Sequence, residues 1–392
     1  MDLKQYKNEF VKKFNSSDFR VFFSPGRINL IGEHTDYNGG KVFPAAITFG
    51  TYALAEKNKL NKFRMYSMNF PEKGMIEFGI DELEHEKKHD WANYSKGMIR
   101  YLKESGYEIN SGVDMLFYGN IPNGAGLSSS ASLELATGVI MEGIFSLDID
   151  RIDLVKIGKR VENEFIGVNS GIMDQFAIGM GKKDCGILLD CETLTYSYAP
   201  LKLENHNIII MNTNKRRELA DSKYNERRAE CEEALRRIQK TVEVNSLGQL
   251  TEEEFKEYKY IIKDDILTKR AKHAVYENRR TIKALEELNK GNLSIFGKLM
   301  NESHISLRDD YEVTGIELDT LVEAAWKQEG VVGARMTGAG FGGCSIAIVE
   351  KKYTEEFIKN VGDNYKEAIG YDADFYIASI GEGAGEVKGG EL

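Results

Sequence analysis

The sequence predicts a protein of two domains, with strands concentrated in its first half and helices in its second half. Its 392 residues exceed what one ordinary hydrophobic core supports and suit about two domains. Up to about residue 200, short segments alternate hydrophobic and polar residues, as strands do. Beyond that point, charged segments with helical periodicity dominate. No linker separates residues 1–200 from residues 201–392, so we expect the two halves to share an extensive interface.

Helices and strands are predicted from hydrophobic periodicity. Tyr6, Phe10 and Phe14 indicate an N-terminal helix. In the first half, strands are predicted at residues 20–23, 42–54, 63–78 and 113–118, turns at Gly50 and Pro71, and helices at residues 91–105 and 152–167. In the second half, a buried strand is predicted at residues 208–211 and helices at residues 224–240, 252–262, 271–288 and 293–303.

The composition excludes several classes of function. Hydrophobic content of 42%, charged content of 29%, and the lack of a long apolar run or leader lead us to expect a cytoplasmic protein with no membrane partner. The net charge of −10 argues against general binding of nucleic acid. Cys185, Cys191, Cys231 and Cys344 show no CxxC spacing, so we expect reduced thiols.

Residues 121–131 join a predicted strand to a predicted helix through glycines and serines. A helix beginning within Ser128–130 would present open N–H groups, which the serines can cap. Gly124 and Gly126 have no Cβ to keep a phosphate chain from the backbone, so the segment suits ATP. It is neither a Walker P-loop nor a dinucleotide fingerprint. An ordinary capped helix after a tight turn is the alternative.

Residues 24–40 place both signs of charge around glycines and an apolar pair. Arg27, Glu33, His34 and Asp36 lie within ten residues of one another. A strand-to-loop segment of this kind is suited to gripping a small polyol beside a phosphate. A polar loop with scattered charges is the alternative.

Two acidic residues and a third glycine-rich segment add further candidates. Asp174 has apolar neighbours and follows Glu162 by twelve residues, and a buried carboxylate is costly unless it is paired or catalytic. Residues 336–344 contain a formal GxGxxG. They run into a predicted strand rather than a helix, so close backbone approach to another loop or to the phosphate cradle is the better explanation.

Residues 85–89 match the HExxH pattern of zinc proteases. A zincin helix is apolar around its ligands, whereas residues 82–90 are almost all charged, and no third ligand is evident nearby. We therefore interpret the segment, with His85 and His89, as a solvated face.

Three segments in order, residues 26–40, 122–131 and 336–344, resemble the signatures of the galactokinase, homoserine kinase, mevalonate kinase and phosphomevalonate kinase superfamily. The second and third are shared across that superfamily. The first resembles the galactokinase signature nearly residue for residue, as do residues 171–176 and 303–313. The resemblance implies an α+β fold of two domains, a ribosomal-protein-S5-like N-terminal half and a ferredoxin-like C-terminal half, with the active site between them.

The resemblance also implies roles for individual residues. Arg27 and Asp174 would flank the anomeric hydroxyl as catalytic residues, and Ser130 with Glu162 would hold Mg²⁺. Contacts with the sugar are implied for Glu33, His34, Asp36, Gly171, Asp174 and Tyr224. Contacts with ATP are implied for Pro122, Asn123, Gly124, Ala125, Gly126, Leu127, Ser128, Ser129 and Ser130.

The activity implied by the resemblance is ATP-dependent phosphorylation of D-galactose at C1. Positioning, charge neutralisation and a proton acceptor are what phosphoryl transfer needs, and the loop, Mg²⁺ with Arg27, and Asp174 would supply them. A kinase for N-acetylgalactosamine or another sugar is the main alternative among enzymes. A sugar and ATP sensor without activity is the alternative from another class. The sequence leaves the oligomeric state open.

Overall fold

The structure is a computed structural model, and it describes residues 3–122, 125–201, 203–215 and 220–387. The strands are β1 (Arg20–Asn29), β2 (Lys41–Val42), β3 (Pro44–Lys57), β4 (Lys62–Ser67), β5 (Ile76–Gly79), β6 (Val113–Gly119), β7 (Cys185–Asp190), β8 (Tyr196–Pro200), β9 (His206–Asn212), β10 (Val331–Thr337), β11 (Cys344–Glu350), β12 (Asp374–Ala378) and β13 (Gly385–Glu386). The helices are α1 (Leu3–Phe14), α2 (Ala92–Glu104), α3 (Ser129–Phe145), α4 (Arg151–Arg160), α5 (Met173–Gly179), α6 (Ala220–Ile238), α7 (Glu252–Tyr258), α8 (Asp265–Asn289), α9 (Leu293–Ser306), α10 (Gly315–Trp326) and α11 (Thr354–Ile369). The α+β architecture predicted from the sequence is confirmed.

The first half is built on a six-stranded sheet in the order β13-β1-β3-β6-β4-β5. Its pairs are antiparallel except for β4 with β6. Apolar residues of α2, α3 and α4 pack with this sheet in one large core, which includes Phe22, Met98 and Leu135. A smaller sheet, β2-β7-β8, lies beside it. Strand β13 returns from the end of the described chain to pair with β1.

The second half is built on a four-stranded antiparallel sheet in the order β10-β11-β9-β12. The predicted strand at residues 208–211 is the centre of β9, whose isoleucines are buried. A second hydrophobic core contains Ile28 and Phe43 from the first half and Ile210 and Phe296 from the second. The two halves therefore share a packed apolar interface, as the absence of a linker predicted.

The predicted turn at Gly50 is wrong, because β3 continues through this residue. Gly50 faces Pro25 where the register of β1 against β3 shifts, and a Cβ on it would lie 2.3 Å from the carbonyl oxygen of Ser24. The glycine permits a close approach of two strands rather than a reversal of the chain. The predicted turn at Pro71 is confirmed as a short 3₁₀ turn, Pro71–Lys73.

The HExxH segment does not form a helix that could present two histidines to one ion. Glu86 is extended, and only the single 3₁₀ turn Lys87–His89 follows it. Most of the segment is exposed, as predicted, but His89 is buried against Phe78 with ring centroids 5.8 Å apart. The prediction of a solvated face is wrong for His89. The buried Lys96 of α2 bonds Glu86 at 3.0 Å, which draws this part of the loop inward.

Candidate functional site

A cleft of about 680 Å³ lies between the two halves of the chain. Side chains from the end of β1, the loop before α3, the start of α5, α6 and the loop after β10 line it. All the sequence-predicted site residues within the described part of the chain border this cleft. Asn123 and Gly124, both predicted to contact ATP, lie outside the described residues.

Arg27 and Asp174 form a paired hydrogen bond at the cleft. Arg27 donates from Nε to Asp174 Oδ1 at 2.9 Å and from Nη2 to Asp174 Oδ2 at 2.8 Å. Its Nη1 donates to the carbonyl oxygen of Gly126 at 2.7 Å. Because Arg27 is only 5% exposed and its planar group is used on both edges, the carboxylate and the loop before α3 are held in fixed relation.

The loop before α3 differs from its prediction in one respect. Ser128 occupies the cap position with φ of 64°, but its side chain does not cap the helix. The Ser128 hydroxyl donates instead to Asp174 Oδ2. The positive φ turns the side chain away from the open N–H groups of α3 and toward the carboxylate. The Ser128 side chain therefore does not occupy the first N–H groups of α3.

Gly338 of the third glycine-rich segment reaches the same loop from the second half. A Cβ on Gly338 would lie 3.0 Å from the carbonyl oxygen of Gly126, and the residue has φ of 85°. Its N–H donates to Glu33 Oε1 at 2.9 Å. The segment leads from β10 into β11, so the prediction of close backbone approach is confirmed, and the loop approached is the one before α3.

Ser130 and Glu162 meet across the cleft. Ser130 donates to Glu162 Oε1 at 2.9 Å, and Ser170 donates to Glu162 Oε2 at 2.5 Å. Glu162 lies in a π-helical turn, Val161–Ile166, that continues α4. Burial raises the pKa of Glu162, and the nearby charge of Asp174 acts in the same direction. A divalent cation beside these hard oxygen ligands would relieve that cost.

Asp36 packs directly against Gly171. A Cβ on Gly171 would lie 1.6 Å from Asp36 Oδ2, so only glycine fits there. Burial, together with the negative charge of Asp174, raises the pKa of Asp36 to about 6. Two acidic groups predicted to contact one sugar therefore lie close enough to repel each other.

His34 is held as a neutral ring of defined tautomer. Its Nε2 lies 3.2 Å from the carbonyl oxygen of Ala339, which can only accept, so Nε2 has the proton. Its Nδ1 therefore accepts from Tyr37 Oη at 2.7 Å. Burial lowers the pKa of His34 to about 3. The ring also lies beside Tyr224, with centroids 5.6 Å apart, which brings another predicted sugar contact to the same wall.

Three polar residues that border the cleft or lie buried behind it were missed as candidates in the sequence. Ser170 bonds the candidate metal ligand Glu162, and Arg335 bonds the candidate sugar ligand Glu33. Glu134 is fully buried on α3, where its Oε2 accepts from Gln175 at 3.1 Å, and burial raises its pKa well above the usual range. Glu134 follows Ser130 by four residues, so the two side chains lie on the same face of α3. That spacing is the sequence pattern from which Glu134 could have been predicted as a site residue.

Comparison with known proteins places this geometry in a class. The galactokinase galactose-binding signature matches residues 8–57, the GHMP kinases N terminal domain residues 93–182, and the GHMP kinases C terminal domain residues 284–367. The mevalonate kinase of Methanococcus jannaschii shares the fold, with a TM-score of 0.66 at 19% identity over 93% of this chain and 99% of its own. The fold and the cleft thus define a small-molecule kinase of the GHMP class.

Similarity within that class is much higher to galactokinases. The galactokinase of Clostridium beijerinckii is 58% identical over 97% of this chain and 98% of its own length. That of Ligilactobacillus salivarius is 60% identical over 98% and 99%. The crystal structure of Lactococcus lactis galactokinase complexed with galactose has a TM-score of 0.96 at 54% identity, covering 98% of this chain and all of that one. The chain belongs to the galactokinase family.

Proposed function

We propose that this chain transfers the γ-phosphoryl group of ATP to the C1 hydroxyl of D-galactose, giving α-D-galactose 1-phosphate and ADP. The observation that supports this most directly is the Arg27–Asp174 pair, which borders both the candidate sugar residues and the candidate phosphate loop. The similar galactokinases, one of them complexed with galactose, support the choice of sugar.

In the proposed reaction, Asp174 orients the C1 hydroxyl and accepts its proton as the oxygen attacks the γ-phosphorus. A bond forms between the C1 oxygen and the γ-phosphorus, and the bond between the γ-phosphorus and the β,γ-bridging oxygen breaks. ADP leaves with that electron pair. Arg27 and Ser128 hold the carboxylate in position through three hydrogen bonds. Arg27 also places positive charge beside the moving phosphoryl group, where transition-state charge develops.

For the nucleotide we propose the loop before α3. Pro122, Ala125, Gly126 and Leu127 border the cleft together with the three serines, Ser128, Ser129 and Ser130. Open N–H groups at the start of α3 suit phosphate oxygens. Gly338 and Ala339 face this loop from the second half, so a bound nucleotide would contact both halves of the chain.

We propose Mg²⁺ as the metal, held by Ser130 and Glu162. The donor set fits, because hydroxyl and carboxylate oxygens are hard ligands and Mg²⁺ commonly takes one or two of them together with phosphate oxygens. The buried carboxyl groups of Glu134 and Glu162, with the negative charge of Asp174 nearby, support a cation at this place. When bound, Mg²⁺ would neutralise charge on the β- and γ-phosphates.

For the sugar we propose Glu33, His34, Asp36, Gly171, Asp174 and Tyr224. Asp36 and Asp174 provide two acceptors for sugar hydroxyls, and Gly171 leaves the space that Asp36 occupies. The rings of His34 and Tyr224 form the adjoining wall, and the ring of Tyr37 packs against both. A rigid wall with few convergent polar groups is typical of sites that distinguish similar small ligands.

We further propose a domain boundary near residue 200, with residues 1–200 and 201–392 as the two domains, and a cytoplasmic location. The change from the six-stranded to the four-stranded sheet supports the boundary, although β13 crosses back to β1. The free thiols of Cys185, Cys191 and Cys231 are compatible with a reducing compartment. Within the described residues, no helix has the length and apolar character required to cross a bilayer.

An assay of ADP release with a panel of sugars tests the proposal. The panel contains galactose, N-acetylgalactosamine, glucose and, as an acceptor for a related kinase, mevalonate. We expect galactose to give the highest kcat/KM. A higher kcat/KM for N-acetylgalactosamine than for galactose would show that the proposed substrate is wrong. Binding of galactose and ATP without ADP release would indicate a sensor rather than an enzyme.

A further inference from the structure

Arg335 lies at the end of β10, just before the third glycine-rich segment, and its side chain is completely buried. Its Nη1 donates to Glu33 Oε2 and to the carbonyl oxygen of Asn29, each at 2.9 Å. Both acceptors belong to the first half of the chain, within the segment that leads from β1 to the candidate sugar residues. Arg335 thus reaches across the interface to the back of the sugar site.

Stability alone does not account for this pair. Burying two charges costs desolvation energy that their attraction often only balances, so a buried ion pair is weak evidence of stabilisation. Arg335 Nε and Nη2, and both polar atoms of the Asn29 side chain, have no hydrogen-bond partner among the described residues. A buried guanidinium that bonds through only one of its three nitrogens contributes little to the stability of the fold. Its geometry instead indicates that it orients Glu33.

Glu33 is the group that Arg335 orients. It borders the cleft, and its two oxygens accept separately, Oε1 from the N–H of Gly338 and Oε2 from Arg335. Each carboxylate oxygen has a second lone pair, and these two bonds fix the directions in which the remaining lone pairs lie. Burial raises the pKa of Glu33 to about 7, and the charges of Arg335 and Arg27 oppose that shift.

We propose that Arg335 is a positioning residue for sugar recognition, which through its bond to Glu33 directs that carboxylate at one hydroxyl of the bound sugar. The inference rests on the proposed galactose site. It predicts that loss of Arg335 affects sugar binding at a single hydroxyl, without direct effect on the nucleotide or on the Arg27–Asp174 pair.

The first test compares Arg335→Met and Arg335→Lys with the unaltered protein. Calorimetry gives the galactose Kd, and steady-state kinetics give kcat and the KM for ATP. We expect Arg335→Met to weaken galactose binding about 10- to 100-fold, the range for a hydrogen bond to a charged group, with little change in the KM for ATP. Arg335→Lys should recover part of the affinity, because lysine keeps the charge but not the planar fork.

Arg64→Met is the matched control. Arg64 in β4 bonds the buried Asp114 of β6 within the six-stranded sheet, away from the cleft. This change should lower the melting temperature and leave the galactose Kd unaltered. An Arg335→Met protein that behaves in the same way, less stable but with normal galactose affinity, would overturn the proposal.

The second test maps the hydroxyl with singly deoxygenated galactoses. The unaltered protein should lose affinity most for the analogue that lacks the hydroxyl bonded by Glu33, and Glu33→Gln and the Arg335 variants should lose discrimination at that same position. In the double variant, Arg335→Met should add little to the effect of Glu33→Gln. Equal losses for every analogue, or multiplicative effects of the two changes, would assign Arg335 a general structural role.

These measurements separate the inference from the function on which it rests. If the unaltered protein does not bind galactose, the proposed function fails. If it binds galactose and discriminates among the analogues, but the Arg335 variants do so equally well, only the role of Arg335 fails. If Arg335→Met does not fold, the affinities of Arg335→Lys and Glu33→Gln for the deoxygenated galactoses still identify the hydroxyl.

Discussion

Asp174 is oriented by its neighbours before any substrate is bound. Two donors of Arg27 and the hydroxyl of Ser128 together engage both of its oxygens. The carboxylate cannot rotate without breaking these bonds, so its remaining lone pairs point in set directions. Such preorganisation is what a proton acceptor in phosphoryl transfer requires.

Asp174→Asn should nearly abolish turnover while leaving the galactose Kd within a few-fold of its original value. The amide keeps the size of the side chain and one acceptor oxygen but cannot take a proton, and general-base help is typically worth about 10²- to 10⁴-fold. Single-turnover kinetics and calorimetry measure the two effects separately. Asp153→Asn, at an exposed carboxylate of α4, is the control. Unchanged turnover of Asp174→Asn would remove Asp174 from the catalytic role.

Asp36 is the residue we expect to distinguish galactose from glucose. The two sugars differ only in configuration at C4, and an enzyme that bonds the axial hydroxyl leaves a buried carboxylate unsatisfied when the hydroxyl is equatorial. Since a hydrogen bond to a charged group contributes roughly 1.5 to 3 kcal/mol, discrimination of about 10²-fold or more in kcat/KM is expected. Glucose should therefore be a poor substrate.

Asp36→Ala tests this assignment. The change should lower kcat/KM strongly for galactose and much less for glucose. The ratio of kcat/KM for galactose to kcat/KM for glucose should therefore fall. Kinetics with both sugars give the ratio for each protein. The assignment of Asp36 to C4 would be withdrawn if the ratio stayed the same, or if the unaltered enzyme used both sugars equally.

Among the elements, the crossing of α9 over β10 sets the distance between the helices of the second half and its sheet. A Cβ on Gly297 of α9 would lie 2.0 Å from the carbonyl oxygen of Val332, and one on Gly333 would lie 2.4 Å from the carbonyl oxygen of Gly297. Two glycines thus allow the backbones to touch. Arg335 lies two residues beyond Gly333, so the same crossing positions it behind the sugar site.

Gly297→Ala should destabilise the protein, because the helix must shift away from β10. Overpacking of a well-packed interior typically costs about 1 to 3 kcal/mol, and a contact with backbone cannot be relieved by a rotamer change. Denaturant unfolding measures the loss. Gly385→Ala is the control, since a Cβ there has no atom within 4 Å. Equal stability of the two variants would contradict this account of the crossing.

At the scale of the whole molecule, the site exists only where the two halves meet. Arg27 and Asp174 come from the first half, Tyr224 and Gly338 from the second, and all four border one cleft. The shared apolar core beneath the cleft holds the halves together. Asp36, Glu162 and Asp174 all border this cleft, so we expect the activity of the assembled site to depend on a divalent cation.

Removal of divalent ions should stop the reaction, and Mg²⁺ alone should restore it. Ser130, Glu162 and phosphate oxygens are hard ligands that favour Mg²⁺ over zinc. Among the described residues, no three His, Cys, Asp or Glu side chains converge on a point that could hold a metal ion. Elemental analysis of the purified protein should therefore find no stoichiometric zinc. Zinc retained through His85 and His89 would overturn our interpretation of the HExxH segment.

The sequence by itself determined the α+β class, most of the elements and the family signatures. Hydrophobic periodicity located α1 through Tyr6, Phe10 and Phe14, because the spacing of buried residues is a local property of a helix. The glycines of residues 336–344 indicated close backbone approach, since only the absence of a Cβ permits it. Patterns of this kind depend only on residues that are close together in the sequence, so the sequence is sufficient to detect them.

Only the tertiary structure decided which polar atoms meet. Ser128 was expected to cap α3 but bonds Asp174, Gly50 was expected to turn the chain but lies inside β3, and Arg335 received no role. The Arg335–Glu33 bond joins residues 302 positions apart. Periodicity states which face of an element is buried and not which element covers it, and the pairing of buried polar groups depends on that second fact.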